Sequence, residues 1–278
     1  MMKSRHRRNG ASSYGGRPLG YRKILLDLDD TLVVEEESAR QSILAAADYL
    51  RRFHEVGRDD FLATVFATAR ERWYALPTID YALAIGISSR EALWAEFSDA
   101  NPNQTELKKL KASYRKNVWS GSLMKHGIRD GALADRLSTI FIEERRSRQI
   151  LFGDAKAFLD RLAGMGARTA LVTNGTPDIQ WQKIRKSGIE KYFESIVISG
   201  ELGARKPGRE IFAHALESIG ADAEDSIMIG DSLDTDIKGA NDFTMASVWV
   251  NRKSKENNTH IKPTYELKNL NDVMEILE

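Results

Sequence analysis

Ile24-Leu25-Leu26-Asp27-Leu28-Asp29-Asp30-Thr31 sets three carboxylates directly behind a short apolar run. A continuous apolar run that ends in polar residues reads as a buried strand, here Ile24 to Leu28. Carboxylates crowded at a strand end repel one another unless a cation holds them. A hard divalent ion such as Mg²⁺ takes oxygen ligands from one or two carboxylates and leaves its other positions to water and substrate phosphate. The arrangement therefore points to metal-assisted phosphoryl chemistry; the plainer alternative is that Asp27 and Asp29 cap a turn.

Beyond Leu151, β and α patterns alternate: helix 155–163, strand 168–173, helix 178–186, strand 195–199, helix 209–219, strand 226–230, helix 235–240, strand 246–250 and helix 270–277. Such alternation predicts an α/β fold, a doubly wound parallel sheet with right-handed crossovers and both faces covered. Ligands bind outside the carboxyl ends of strands in open sheets of this kind. Polar candidates sit there: Asp27 and Asp29 after the first strand, Thr173 and Asn174 after the second, and Asp231 after Ile227 to Ile229. Lys206 follows the strand containing Ile198 by several residues and precedes Pro207, which reads as the first residue of a helix.

From about Val33 to Ile150 the patterns are helical only: 38–53, 60–74, 89–97, 105–118 and 132–146. The expected organisation is an α/β core over 21–32 plus 151–278, an inserted all-helical cap domain over 33–150, and a basic disordered tail over 1–20. Trp73, Tyr74, Trp94 and Trp119 are expected to fill the core of the insert. Arg145, Arg146 and Arg148 read as a solvated helix face, with anion recognition as the alternative.

The chain has 278 residues, 42% of them hydrophobic, enough for one large α/β domain or a core with an insertion. Its net charge of +1 is unevenly spread: the first 23 residues carry +7, residues 24–32 carry −3, residues 33–150 carry +1 and residues 151–278 carry −4. The candidate residues thus lie in acidic segments, which suits a cation site and gives no nucleic-acid footprint on the folded part. The absence of cysteine excludes disulfides, thiolate zinc sites and cysteine-nucleophile chemistry. The five histidines form no spaced metal-binding pair. No run approaches the roughly 18 apolar residues of a membrane span, and the first 20 residues lack the apolar centre of a secretory signal, so a cytoplasmic protein is expected.

In this order, Asp27-Leu28-Asp29-Asp30-Thr31, Thr173-Asn174, Lys206-Pro207 and Gly230-Asp231 with Asp236 downstream resemble the four motifs of the haloacid dehalogenase (HAD) superfamily. The insert lies between the first and second motifs, where that superfamily carries helical caps. The resemblance implies a Rossmann-like core and a phosphatase-type hydrolase of small phosphomonoesters, with an aspartyl-phosphate on Asp27 and Asp29 as general acid and base. It also implies Mg²⁺ held by Asp27, the backbone carbonyl of Asp29 and Asp231. Thr173, Asn174 and Lys206 would bind the phosphate, and Asp236 would orient Lys206 or a metal-bound water. Substrate candidates are a nucleoside monophosphate, a sugar phosphate or a phosphoglycolate-like acid.

A phosphomutase would need the same motifs, and a non-catalytic binding protein would keep the fold. A 2-haloacid dehalogenase would have no task for Asp29, because halide leaves without a proton. Local alternatives also stand: Thr173 in a Ser/Thr turn, Lys206 as an exposed lysine, Asp231 as a turn residue and Asp236 in a helix's first turn.

Overall fold

The computed structural model describes residues 20–98 and 102–278. The tail expected to be disordered lies, apart from Gly20, outside the described residues. In chain order the elements begin with β1 (Lys23–Leu26), then α1 (Glu36–Leu50), α2 (Arg58–Tyr74), α3 (Ile79–Ala84), α4 (Ser89–Ala92), α5 (Pro102–Lys125) and α6 (Gly131–Ser147). There follow α7 (Ala155–Gly164), β2 (Arg168–Thr173), α8 (Pro177–Ser187), β3 (Ser195–Ile198), α9 (Ser199–Leu202) and α10 (Arg209–Ser218). The chain closes with β4 (Ser226–Gly230), α11 (Lys238–Asp242), β5 (Ala246–Val250), β6 (Tyr265–Leu267) and α12 (Leu270–Leu277).

The strands form a sheet in the order β3-β2-β1-β4-β5-β6, parallel at each junction. Side chains alternate across a strand, so β1 feeds two cores. Ile24 and Leu26 face a cluster with Phe158 and Leu162 of α7, Ile184 of α8 and Val273, Met274 and Leu277 of α12. Leu25 faces the other side, where Ile211, Phe212 and Ala215 of α10 pack with Ala240 of α11. The sheet is thereby covered on both faces, as the β–α alternation requires. Sequence order reverses at β1, whose neighbours are β2 and β4, and this is where Asp27 emerges.

Helices α1 to α6 bury their apolar faces in a further core containing Trp73, Trp94, Trp119, Phe61 and Phe141, which Ile179 of α8 joins. Tyr74 does not join it and is 54% exposed. Two adjacent linkers tie this helical unit to the sheet. Val33 and Leu151 form an antiparallel bridge, flanked by bonds of 2.9 Å from Val34 N–H to the Ile150 carbonyl and from Phe152 N–H to that of Leu32.

Three local expectations change. The helix expected over 89–97 shrinks to the single turn α4, and Phe97 sits at φ 52°, outside helical geometry. β1 stops at Leu26 because the Leu28 carbonyl turns to accept from Leu32 and Val33 while Asp30 takes φ 58°. Pro207 does not begin a helix: α10 starts at Arg209, and the Lys206–Pro207 peptide is cis.

Candidate active site

Asp27, Asp29, Thr173, Asn174, Lys206, Asp231 and Asp236 all line one cavity of about 230 Å³ at the carboxyl ends of β1, β2 and β4. β1 delivers Asp27, whose backbone N–H continues the sheet by bonding the Ile229 carbonyl at 3.0 Å. Thr31 folds back to donate its hydroxyl to Asp27 Oδ2 at 2.9 Å. Asp30 caps α1, accepting the backbone N–H groups of Glu35 and Glu36 at 3.0 and 3.1 Å.

Lys206 is buried, not exposed as its local sequence would allow, and its ammonium is fully engaged. It reaches Asp27 Oδ1 at 2.5 Å, Asp236 Oδ1 at 2.8 Å and the Val172 carbonyl at 2.7 Å. Burial alone would lower its pKa, but Asp236 and Asp27 hold it above the usual lysine range. The loop bearing it is clamped by Asn174, whose side chain accepts the Lys206 N–H at 2.9 Å and donates to its carbonyl at 3.1 Å. Asp236 reaches the site because residue 230 has no side chain: a Cβ there would lie 2.3 Å from Asp236 Oδ2. It stands in a π-helical turn, Leu233–Ile237, and not in the α-helical first turn the sequence suggested.

Asp27, Asp231 and Asp236 offer carboxylate oxygens within 4.8 Å of one another. Against these three charges stands the single ammonium of Lys206. Burial, followed by the charge of Asp27, pushes the Asp231 carboxyl up to about 8, and burial pushes Asp27 up to about 7 despite Lys206. The Asp231 carboxylate has no hydrogen bond or ion pair among the described residues; only its backbone carbonyl is used, by the Trp249 indole at 2.8 Å. An all-oxygen donor set with uncompensated negative charge fits a hard cation and not a soft one.

On the opposite wall the charges balance. Lys183, in α8, reaches both Asp29 oxygens at 2.8 Å and Glu35 Oε2 at 3.0 Å. Arg145 grips Glu35 through Nη2 at 2.6 and 2.8 Å and bonds the Ser38 hydroxyl at 2.6 Å. Far from being a solvated residue, Arg145 is 1% exposed and lies over the Trp94 ring at 4.7 Å. Burial would raise the Glu35 pKa, but Lys183 and Arg145 hold it well below the usual carboxylate range. Gln180 donates to Asp29 Oδ2 at 3.1 Å and to Thr173 Oγ1 at 2.5 Å, which leaves the Thr173 hydroxyl hydrogen free to point at a ligand.

Glu35, Gln180, Lys183 and Glu91 were not singled out from sequence. Gln180 and Lys183 carried a signal: at i and i+3 they share one face of α8, beside the buried Ile179 and Ile184, where apolar residues are the norm. Glu91 carried only the Ser88-x-x-Glu91 spacing of a helix start, which marks no site. It accepts the Thr176 N–H at 2.6 Å and closes a capping box with Ser88. Gly175 leaves it room, since a Cβ there would meet Glu91 Oε1 at 2.7 Å.

Burial raises the Glu91 carboxyl to about 7. The folded state thus keeps a proton that the unfolded chain has released, and this contribution to stability is lost as pH rises from about 4.5 through about 7. Glu91→Gln should remove that slope. The variant is expected to gain up to ~3 kcal/mol on wild type at pH 8 relative to pH 5, by urea denaturation. Parallel pH profiles for the two proteins would sink this assignment.

The site and sheet together define a class: a Rossmann-like hydrolase with its carboxylate cluster at the switch point and a helical unit above it. The model of the haloacid dehalogenase-like hydrolases matches residues 21–244, and the chain belongs to that family. It is 34% identical over 252 residues to the phosphoserine phosphatase of Thermus thermophilus, covering 90% of this chain and 96% of that one. It is also 34% identical over 144 residues to the N-acylneuraminate-9-phosphatase of Mus musculus, covering 51% and 58%. The solved HAD-hydrolase YfnB of Bacillus subtilis, bound to magnesium, superposes with a TM-score of 0.64 at 24% identity, covering 93% of this chain and 99% of that one. The chain is accordingly an enzyme of the phosphatase kind within the family. No helix among the described residues is long and apolar enough to cross a membrane.

Proposed function

We propose that this enzyme is a Mg²⁺-dependent phosphomonoesterase that hydrolyses a small phosphorylated metabolite through an aspartyl-phosphate. The observation that carries the reading is the pairing of a lysine-held Asp27 with an unpartnered Asp231 carboxylate in one pocket. Mg²⁺ would be held by Asp27, Asp231 and the Asp29 carbonyl, and would neutralise charge so that a carboxylate can approach a phosphate.

Asp27 attacks phosphorus, dividing one hard displacement into two easier ones. Thr173 donates its hydroxyl and Asn174 its backbone N–H to phosphate oxygens, and Lys206 balances the charge that shifts during transfer. Asp236 keeps Lys206 aimed. Asp29 protonates the leaving alkoxide and then takes a proton from the hydrolytic water. Both its oxygens here accept from Lys183 or Gln180, so the acid step requires one of those donors to yield. Helices α1 to α6 act as a cap that shields the site and selects the leaving group.

Phosphate release from p-nitrophenyl phosphate tests this directly. Chelation should remove activity and added Mg²⁺ restore it, while saturating Mg²⁺, at about 100 times its Kd, should stabilise the fold by ~2.7 kcal/mol. Full turnover in excess chelator, with no Mg²⁺-dependent rise in melting temperature, would rule the metal out. A panel of nucleoside monophosphates, sugar phosphates and phospho-acids ranked by kcat/KM identifies the substrate.

A further inference from the structure

The catalytic cavity opens toward the helical unit, and Ser88 and Arg90 line both it and a second cavity of about 380 Å³ formed between α2 and α4. Two arginines of that second cavity carry charge without a protein counterion: Arg70, exposed at its rim, and the half-buried Arg90. Arg70 and Arg90 make no hydrogen bond or ion pair among the described residues. Each instead lies over an aromatic ring, Arg70 over Tyr74 at 5.8 Å and Arg90 over Phe66 at 5.7 Å. Stacking of this kind holds a guanidinium in place while leaving its five N–H donors available.

Trp73, 2% exposed, contributes an aromatic wall. The cavity therefore joins apolar and aromatic walls to two cationic side chains that have no counterion among the described residues.

We propose that this cavity receives the far end of the substrate's alcohol portion, and that this end is a carboxylate carried on an apolar or aromatic body. The proposal rests on the phosphomonoesterase reading, since it sets the phosphate in one cavity and the carboxylate in the other, with Arg90 at their junction. A planar carboxylate matches a guanidinium fork with two bonds.

The test compares benzyl phosphate with 4-carboxybenzyl phosphate and 4-(2-carboxyethyl)benzyl phosphate, using the full chain with Mg²⁺. At least one carboxylated ester should exceed the neutral one about tenfold or more in kcat/KM, chiefly through KM. That ratio should fall toward one in Arg70→Met and Arg90→Met, each first shown to be folded by circular dichroism. Inhibition of wild type by the matching hydroxymethyl acid, but not by benzyl alcohol, reports the same preference without any substitution. Equal rates for all three esters in wild type, or a preference that survives both substitutions, overturns the subsite while leaving the phosphatase reading intact. Absence of phosphate release from every ester, p-nitrophenyl phosphate included, overturns both.

Discussion

Asp27→Asn should lower kcat by about 10⁴-fold or more, because an amide cannot form the acyl-phosphate. The fold should survive. Asn keeps an oxygen to accept from Thr31 or Lys206, and it removes a carboxylate that burial has pushed up to about 7. The sign follows from that direction: a carboxyl whose folded pKa is raised supports the fold at low pH, and its support is lost as pH climbs from about 3.8 through about 7. Without metal at pH 8 the variant should therefore melt at or above the wild-type temperature. An active variant would dismiss Asp27 as nucleophile. An inactive variant that is also unfolded would leave the loss of turnover without chemical meaning, and the melting curve separates these outcomes.

Lys206→Met should be the most damaging single change to stability among the site residues. Its ammonium is the shared partner of two carboxylates, and deleting one side of a buried ion pair costs about 3–5 kcal/mol because the other side stays buried and charged. Turnover should fall with it, since the charge that accompanies phosphoryl transfer is gone. Urea denaturation gives the first number and phosphate release the second. The cost should shrink in an Asp236→Asn background, where one of the stranded charges has been removed. Equal costs in both backgrounds would show that Asp236 and Lys206 are energetically independent despite their 2.8 Å separation.

The sheet was readable from sequence because parallel strands buried on both faces appear as continuous apolar runs, and 168–173, 226–230 and 246–250 coincide with observed strands. β6 was missed because it is three residues long with one buried side chain, too short for any periodicity to register. The catalytic candidates were legible for a different reason: each follows a strand, so topology alone brings them together. Lys183 and Arg145 were not, because the partners that explain their burial, Asp29 and Glu35, are 154 and 110 residues away in sequence. A charged residue inside a helical pattern looks solvated until its distant counterion is known. Glu91 and Arg90 were hidden similarly, since α4 is a single turn whose position over the pocket is set by the packing of the longer helices around it.

The bridge between Val33 and Leu151 has an evolutionary consequence. Because the chain departs from the sheet and returns at adjoining points, the ends of the excursion from Val34 to Ile150 are pinned side by side. The entropic cost of closing a loop grows only slowly with its length, so the sheet would tolerate excursions of very different size at this position. A lineage could thus exchange one helical unit for another, acquiring new substrates while its chemical apparatus stays untouched.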